Sequence, residues 1–224
     1  MPNLEQLTLK GSKVLLRPAS QSESCKGTLV LLHGYGADEN DLMGLAPYFD
    51  ENLQIISIRG PGSTVYGGAS WFDIDMLPDG SLKFNSEQAL SSTALVIDTI
   101  LDLQSQRIIN NGKVVIGGFS QGASISNLVT LTNPNLIKAL LSMSGRLTED
   151  ALELLKDSQA LLNLPVFAGH GINDTVIPIE FGRQIVAFWK TLPVILQDFE
   201  YPMGHEISQS ELNHIQNWLD TVHR

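Results

Sequence analysis

The hydrophobic residues of this chain follow two alternating patterns. Thr28 to Leu32 is an unbroken, mainly apolar run, which is typical of a strand covered on both faces of a parallel sheet. Near the end of the chain, Leu212, Ile215 and Trp218 recur at helical spacing. The segment Ser208 to Glu211 precedes them and has the pattern of a capping box, which predicts the start of a helix.

The same reasoning assigns strands and helices along the whole chain. The predicted strands are residues 4–9, 14–17, 28–32, 53–58, 114–117, 137–143, 165–168 and 194–199. The predicted helices are residues 42–49, about 86–108, the stretch after Ser120, 149–162, a helix from Pro178 and one from Ser208. In the helix over 86–108, the residues expected to face the core are Leu90, Ala94, Ile97 and Leu101.

Strands that alternate with helices predict an α/β fold. We expect a mostly parallel central sheet with helices on both faces and the first two strands as a hairpin at its edge. Residues 1–224 are expected to form a single domain, since this length suits one core.

A sharp turn between a strand and a helix is predicted around Ser120. The pentapeptide Gly118-Phe119-Ser120-Gln121-Gly122 follows an apolar strand and precedes a stretch of helical period. This order exposes a serine hydroxyl at the edge of a sheet, and the glycines let the strand and helix backbones pass closely. We therefore expect Ser120 to be a nucleophile.

A serine nucleophile needs a base to take its proton. His205 lies in a turn, Pro202 to Glu206, between the last strand and the last helix, where a loop holds an imidazole over the sheet edge. His33 and His170 directly end buried strands, so a structural, hydrogen-bonded role is the simpler interpretation of both. His205 is the expected base, and the other two stay open as alternatives.

The acid that orients the base is expected at Asp174. This residue lies in the loop after the strand that ends at His170. Asp198 and Glu200 lie in or at the end of the last predicted strand, and their side-chain directions do not follow from the sequence. A helix cap or turn is the structural alternative for Asp174.

Two backbone N–H groups are expected to stabilise the negative charge that develops on a substrate carbonyl oxygen. One belongs to Gln121, the residue after the nucleophile. The other is assigned to Tyr35, within Gly34-Tyr35-Gly36 after the third strand.

Composition narrows the range of partners. With 24 acidic and 14 basic residues the net charge is −10, which argues against nucleic acid as a partner. Cys25 is the one cysteine and the chain has no His-Glu-x-x-His motif, so we expect neither a disulfide nor a metal site. No segment reaches the ~18 apolar residues of a membrane span, and the N-terminus lacks a signal-peptide pattern. A cytoplasmic protein is expected.

The chain resembles the carboxylesterase/phospholipase family of α/β-hydrolases, which includes acyl-protein thioesterases. The matching segments, in the family's order, are Leu32-His33-Gly34-Tyr35-Gly36, Trp71-Phe72-Asp73, Gly118 to Gly122, His170 through Asp174 to Pro178, and Gly204-His205. The resemblance implies an α/β-hydrolase fold with no large lid domain. It also implies hydrolysis of esters or thioesters without a cofactor, and it offers small homodimers as a precedent.

The resemblance implies the roles already argued for Ser120, Asp174 and His205. It gives Tyr35 and Gln121 the oxyanion roles. Family members often have leucine where Tyr35 stands and glycine where Ala123 stands; both departures keep the backbone N–H.

The segment from Arg59 to Phe84 is long and weakly patterned, and we expect it to wall the substrate groove. Trp71, Met76 and Leu77 are its expected apolar substrate contacts, with plain packing as the alternative for each.

The sequence thus predicts a serine esterase that hydrolyses small-molecule or lipid-like carboxylic esters with short to medium acyl chains. One alternative is a lysophospholipase or acyl-protein thioesterase that acts on long acyl chains. An alternative of another class is a catalytically silent hydrolase fold that serves as a binding module.

Overall fold

The computed structural model describes residues 4–65, 67–76, 78, 82–148, 151–155 and 157–223, without the side chains of Met76, Leu82 and Leu152. The strands are β1 (Glu5–Leu9), β2 (Ser12–Arg17), β3 (Gly27–Leu32), β4 (Leu53–Ile58), β5 (Gly62–Ser63), β6 (Ala69–Ser70), β7 (Ile74–Met76), β8 (Leu82–Phe84), β9 (Val114–Phe119), β10 (Ile137–Met143), β11 (Pro165–Gly171) and β12 (Ile195–Tyr201). The α-helices are α1 (Ser86–Ser105), α2 (Gln121–Thr132), α3 (Ala151–Leu154), α4 (Ile179–Trp189) and α5 (Gln209–Val222). Short 3-10 helical turns cover Ser22–Ser24, Leu42–Tyr48, Pro134–Leu136 and Ser158–Leu161. In this described part of the chain, no helix is long and apolar enough to cross a membrane.

Eight of the described strands form one sheet, in the order β1-β2-β4-β3-β9-β10-β11-β12. The pairs β1–β2 and β2–β4 are antiparallel, and all other neighbouring pairs are parallel. The predicted α/β fold, with its mostly parallel sheet and edge hairpin, is confirmed. The carboxyl ends of β3, β9, β11 and β12 lie along the same edge, which is where open parallel sheets bind ligands.

The central strands are buried on both faces of the sheet. Along β3, Val30 and Leu32 pack in the cluster that includes the inner faces of α1, α2 and α4. Leu29 and Leu31 point to the opposite face and pack in the cluster that includes α5. All four side chains are fully buried, which explains why β3 has no polar alternation. The prediction of helices on both faces is confirmed.

Helix α1 buries a different face from the one predicted. Leu90, Ala94 and Leu101 are exposed, and of the four predicted residues only Ile97 packs against the core. The buried face carries Ala89, Ser92, Thr93, Val96, Thr99, Ile100 and Leu103. Thr93 and Thr99 each donate a hydrogen bond to the carbonyl oxygen four residues earlier, so their hydroxyls are satisfied within the helix. A helix face with such threonines looks polar from the sequence alone, although its burial costs little free energy.

The helix predicted over residues 149–162 is shorter than expected. The described residues form α3, Ala151–Leu154, and then a 3-10 helical turn, Ser158–Leu161. Asp157 accepts a hydrogen bond from the Gln159 N–H at 2.9 Å, which starts the second turn anew instead of continuing the first. Residues 149, 150 and 156 lie outside the described part.

The helix predicted over residues 42–49 forms a 3-10 helical run, Leu42–Tyr48, with Pro47 inside it. Proline removes a backbone donor, which disfavours a regular α-helix of this length. At the end of β2, the buried Arg17 guanidinium holds this region in place. Its nitrogens donate hydrogen bonds of 2.5 to 2.6 Å to the carbonyl oxygens of Ala46, Asp50 and Leu53. Burial lowers the pKa of Arg17, but three carbonyl partners offset the loss of hydration.

The long segment after β4 forms two small antiparallel pairs, β5–β6 and β7–β8. The first pair packs against the loop that follows β3. Gly36 N–H donates to the Ala69 carbonyl oxygen at 2.9 Å, and Ala69 N–H donates to the Ala37 carbonyl oxygen at 2.7 Å. A Cβ added at Gly68 would lie 1.8 Å from the Gly36 carbonyl oxygen, so only glycine permits this approach. The segment is therefore fixed to the loop that contains Tyr35.

Glu211, near the start of α5, departs from the predicted capping box. The Ser208 hydroxyl caps the helix by accepting the Glu211 N–H at 3.2 Å, as expected. The Glu211 carboxyl instead lies in the core, and among the described residues neither of its oxygens has a hydrogen-bond partner. It faces β11, where a Cβ added at Gly169 would come within 2.2 Å of its Oε1. Burial raises the pKa of Glu211 to about 8, so the group is mainly uncharged at neutral pH.

This raised pKa predicts a pH dependence of stability that Glu211→Gln removes. Between about pH 4.5 and about pH 8 the unfolded chain releases the Glu211 proton while the folded chain keeps it. The free energy of unfolding of the native chain should therefore fall relative to that of the variant, by up to about 1.4 kcal/mol per pH unit. Below and above this window the difference should be flat.

Urea unfolding of both proteins from pH 4 to pH 9 measures the difference. Glu206→Gln, which removes an exposed carboxyl from the loop before α5, controls for the general loss of a negative charge. A difference between native and Glu211→Gln that does not change with pH would contradict the prediction.

Candidate active site

Ser120 occupies a strained turn between β9 and α2. The strand ends at Phe119, the helix begins at Gln121, and Ser120 has φ 55° and ψ −118°. Positive φ is unfavourable for a residue with a Cβ, so the surrounding packing must hold it. The strand–turn–helix arrangement predicted around Ser120 is present.

Close approach of backbones fixes this turn. A Cβ added at Gly118 would lie 2.3 Å from the carbonyl carbon of Gly122, and one added at Gly122 would lie 2.0 Å from the carbonyl oxygen of Leu32. Both distances are far below van der Waals contact, so neither position accepts a side chain without movement of the backbone. The Ser120 N–H also donates to the Met143 carbonyl oxygen at 2.9 Å. This turn around Ser120, here called the elbow, is thus held by β3, by β10 and by its own helix.

The structure brings Ser120, His205 and Asp174 into one hydrogen-bonded chain. His205 Nε2 lies 2.9 Å from Ser120 Oγ, and His205 Nδ1 lies 2.6 Å from Asp174 Oδ2. A carboxylate only accepts, so Nδ1 carries the proton and Nε2 is free to accept the serine hydroxyl. All three residues come from loops at the carboxyl ends of strands in the same sheet.

The backbone of its own loop orients the Asp174 carboxylate. Oδ1 accepts the N–H groups of Val176 and Ile177 at 2.9 and 2.8 Å, which leaves Oδ2 for His205. The competing acids lie elsewhere. Asp198 and Glu200 are on the edge strand β12, where they pair with Lys190 and Arg183 on the protein surface.

The two competing histidines hold loops and do not reach Ser120. His33 Nε2 accepts the Gly60 N–H at 2.9 Å, so Nδ1 carries the proton and donates to the Gly34 carbonyl oxygen at 2.7 Å. Burial lowers the pKa of His33, which favours this neutral form. His170 Nε2 donates to the Ile177 carbonyl oxygen at 2.8 Å. Of the three candidates, His205 alone makes a hydrogen bond to Ser120 in the described structure.

Gln121 and the loop that contains Tyr35 lie beside Ser120, where the sequence predicts two oxyanion donors. Gln121 is the first residue of α2, so its N–H has no acceptor within the helix and carries the positive end of the helix dipole. A Cβ added at Gly34, just before Tyr35, would lie 3.4 Å from Ser120 Cβ, which places this loop directly against Ser120. Within this turn the Ala37 N–H donates to the Gly34 carbonyl oxygen at 3.3 Å, and the Gly36 N–H donates to the Ala69 carbonyl oxygen at 2.9 Å.

The Gln121 side chain has a role that the sequence did not reveal. Its Oε1 accepts the Trp71 N–H and its Nε2 donates to the Phe72 carbonyl oxygen, both at 2.7 Å. The Trp71 indole N–H donates in turn to the His33 carbonyl oxygen at 2.9 Å. These bonds tie the segment after β4 to the start of α2 and to the end of β3. A single glutamine after Ser120 carries no pattern that could predict such a long-range contact.

A cavity of about 670 Å³ opens onto Ser120 and His205. Its walls are mainly apolar and include Phe72, Ile74, Phe84, Val176, Ile177 and Phe181. Among the described residues that line it, Arg146 is the only one with a permanent charge. The sequence did not indicate Phe84, Phe181 and Arg146 as cavity residues, because single residues in separate segments of the chain share no spacing.

The three predicted substrate contacts fare differently. Trp71 is 1% exposed, and the structure places it in the core beneath the loop after β3 and not in the cavity over Ser120. Its large apolar ring packs more favourably there while its N–H keeps a partner. For Met76 only the backbone, in β7, is described, and Leu77 lies outside the described residues. The segment itself does wall the cavity, through Phe72, Ile74 and Phe84.

Comparisons with known proteins point to one family. A family model described as phospholipase/carboxylesterase matches residues 17–223. The acyl-protein thioesterase 1 of Mycosarcoma maydis is 33% identical over 218 residues, which cover 87% of this chain and 90% of that protein. The acyl-protein thioesterase 1 of Kluyveromyces lactis is 26% identical and covers 91% of this chain and 95% of that protein. The structure of a Bacillus cereus carboxylesterase matches with a TM-score of 0.78 at 20% identity over 95% of each chain, which shows a common fold.

The packing of the elbow predicts that Gly122→Ala destabilises the fold. The new methyl group would lie 2.0 Å from the Leu32 carbonyl oxygen, and its accommodation must separate α2 from β3. We expect the free energy of unfolding to fall by about 3 kcal/mol.

Gly112→Ala is the matched control, because a Cβ added at Gly112 meets no atom within 4 Å. Its effect should stay within about 0.5 kcal/mol. Urea unfolding compares the two variants with the native chain. Equal stability of Gly122→Ala and the native chain would show that the close approach is not tightly constrained.

Proposed function

The chain belongs to the phospholipase/carboxylesterase family of hydrolases, and from this premise we propose that Ser120, His205 and Asp174 form a triad that hydrolyses carboxylic esters. The observation that carries the proposal is the continuous hydrogen-bonded chain from the strained serine through the imidazole to the buried carboxylate. A surface serine with an ordinary structural role would not need the backbone strain that this one retains.

In the proposed first step, Ser120 Oγ attacks the carbonyl carbon of the ester while His205 Nε2 takes the hydroxyl proton. Asp174 keeps the imidazole oriented and stabilises the positive charge that it acquires. The backbone N–H groups of Tyr35 and Gln121 donate to the oxyanion of the tetrahedral intermediate. The intermediate then collapses, His205 returns its proton to the departing alkoxide, and the alcohol leaves behind an acyl-enzyme.

In the second step, His205 removes a proton from a water molecule that attacks the acyl-enzyme. The same N–H groups stabilise the second tetrahedral intermediate. When it collapses, His205 protonates Ser120 Oγ and the carboxylic acid is released. The complete cycle needs one ester and one water and leaves the enzyme unchanged.

The apolar walls of the cavity support an acyl or alcohol group of small to medium size as the occupant. A second candidate is hydrolysis of long acyl chains, as thioesters or lysophospholipids, which is supported by relatives named acyl-protein thioesterase 1. We further propose that residues 1–224 act as one domain, since all the site loops leave one sheet. The cytoplasmic location and the homodimer stay predictions.

The test is a ladder of 4-nitrophenyl esters, from short to long acyl chains, with native protein and variants. Ser120→Ala and His205→Ala should each lower kcat by about 10⁴-fold or more, because the nucleophile and its base act as a unit. His214→Ala is the matched control, since His214 contacts Tyr201 and Phe199 away from the cavity, and it should keep native kcat.

The outcomes separate the candidates. Maximum activity with short acyl chains supports hydrolysis of small esters, and maximum activity with long acyl chains favours the second candidate. Substantial activity in His205→Ala would move the base to His33 or His170. If the native protein hydrolyses none of the esters and a fluorophosphonate does not label Ser120, the result favours a catalytically silent binding module.

A further inference from the structure

His170 lies beside Asp174, and neither step of the proposed reaction uses it. It belongs to β11, and its side chain is 5% exposed, while that of Asp174 is fully buried. His170 Nε2 lies 3.5 Å from Asp174 Oδ2, and His205 Nδ1 lies 2.6 Å from the same oxygen. A buried carboxylate is costly unless polar groups surround it. One oxygen of Asp174 therefore faces two imidazole rings, of which the proposed mechanism uses only one.

A backbone carbonyl oxygen fixes a proton on the His170 ring. Nε2 lies 2.8 Å from the Ile177 carbonyl oxygen, which can only accept, so Nε2 carries a proton. The Ile177 N–H donates in turn to Asp174 Oδ1 at 2.8 Å. The three residues thus form a closed ring of contacts, which the 3.5 Å approach of Nε2 to Asp174 Oδ2 completes. This last contact is too long for a full hydrogen bond and acts through the partial positive charge of the N–H.

Helix α4 holds the imidazole ring of His170 in place. A Cβ added at Gly182 would lie 2.5 Å from His170 Nδ1 and 2.6 Å from its Cγ, so the backbone of this helix packs directly on the ring. The ring cannot turn away from Asp174 unless α4 moves. The described residues that line the cavity over Ser120 do not include His170. An effect of His170 on the reaction must therefore pass through the loop that carries Asp174.

We propose that His170 is a positioning residue that holds Asp174 Oδ2 toward His205. The inference rests on the proposed function and adds a residue to it. When Ser120 attacks, the His205 imidazole gains a proton, and Asp174 orients this ring only while its carboxylate keeps its direction. Two backbone N–H groups of its own loop hold Oδ1, but a carboxylate held at Oδ1 alone can still swing Oδ2 away. The N–H of His170 supplies the second fixed point, at Oδ2.

Glutamine and methionine at position 170 separate the N–H donor from the bulk of the side chain. The amide nitrogen of glutamine comes near the position of Nε2 and keeps an N–H there, whereas methionine has a similar length and no donor. His170→Met should lower kcat for the best ester of the ladder by about 10- to 100-fold, with KM unchanged. His170→Gln should restore kcat to within about 3-fold of the native value. His170→Asn, whose amide is one methylene shorter and falls short of Ile177, should behave like His170→Met, and it replaces that variant if methionine prevents folding.

The same substitutions at His214 are the matched controls. His214→Gln and His214→Met remove a ring that contacts Tyr201 and Phe199 away from the cavity, and both should keep the native kcat. Urea unfolding of every variant shows the conditions under which each is fully folded, and kcat is compared only under those conditions. A lower kcat then reports the arrangement of the site and not the fraction of folded protein.

A double-mutant cycle with Asp174→Asn tests whether His170 acts through Asp174. The readout is the rate at which a fluorophosphonate labels Ser120, which remains measurable when turnover is slow. In the native background, His170→Met should slow labelling by about 10- to 100-fold. In the Asp174→Asn background it should slow labelling by less than about 3-fold further, because no carboxylate remains to be held. A role limited to packing α4 on β11 would give equal effects in both backgrounds.

The outcomes separate this inference from the proposed function. A native kcat in His170→Met would overturn the inference alone, and so would an equal fall in His170→Met and His170→Gln. Equal slowing of labelling by His170→Met in both backgrounds would also overturn it and make His170 a packing residue. If the native protein shows neither Ser120-dependent hydrolysis nor labelling of Ser120, the proposed function fails, and this inference fails with it.

Discussion

The contact between Gly122 and the carbonyl oxygen of Leu32 is the constraint on which the rest of the site depends. It brings the first turn of α2 against the end of β3, closer than any side chain would allow. This approach aims Ser120 out of the sheet, and it sets the first N–H of the helix beside the loop that contains Tyr35. This backbone contact therefore helps to place both the proposed nucleophile and the two N–H groups proposed as oxyanion donors.

Hydrogen bonds from polar side chains hold the loops that surround this contact. The neutral His33 imidazole links the loop after β3 to Gly60, and the Gln121 amide links α2 to Trp71 and Phe72. His170 does the same for the loop of Asp174. In each case buried donors and acceptors are paired, so the site gains rigidity without orphaned polar atoms. The buried Glu211 carboxyl, by contrast, has no hydrogen-bond partner among the described residues and stays mainly neutral at neutral pH, at a stability cost that grows as the pH rises toward about 8.

Local patterns explain what the sequence could predict. The apolar run of β3 and the glycines around Ser120 are consecutive residues whose spacing reports their environment directly, so the sheet and the elbow were predicted from them. The hydrogen-bonded joining of Asp174 and His205 to the serine followed from loop order along the sheet. The prediction of which face of α1 is buried was wrong, because Thr93 and Thr99 donate hydrogen bonds within their own helix and are buried despite their polarity. The position of Arg146 in the cavity wall could not be predicted, because the two rings that it contacts are far away in the chain.

The positive φ of Ser120 has an evolutionary consequence. A residue with a Cβ pays about 1 to 3 kcal/mol to stay in such a conformation, whereas glycine adopts it freely. Selection for thermal robustness alone would therefore favour replacement of the serine by glycine, the one residue that relieves the strain and ends the chemistry. This chain has serine at a position where glycine would be more stable, and a use for the hydroxyl accounts for that cost.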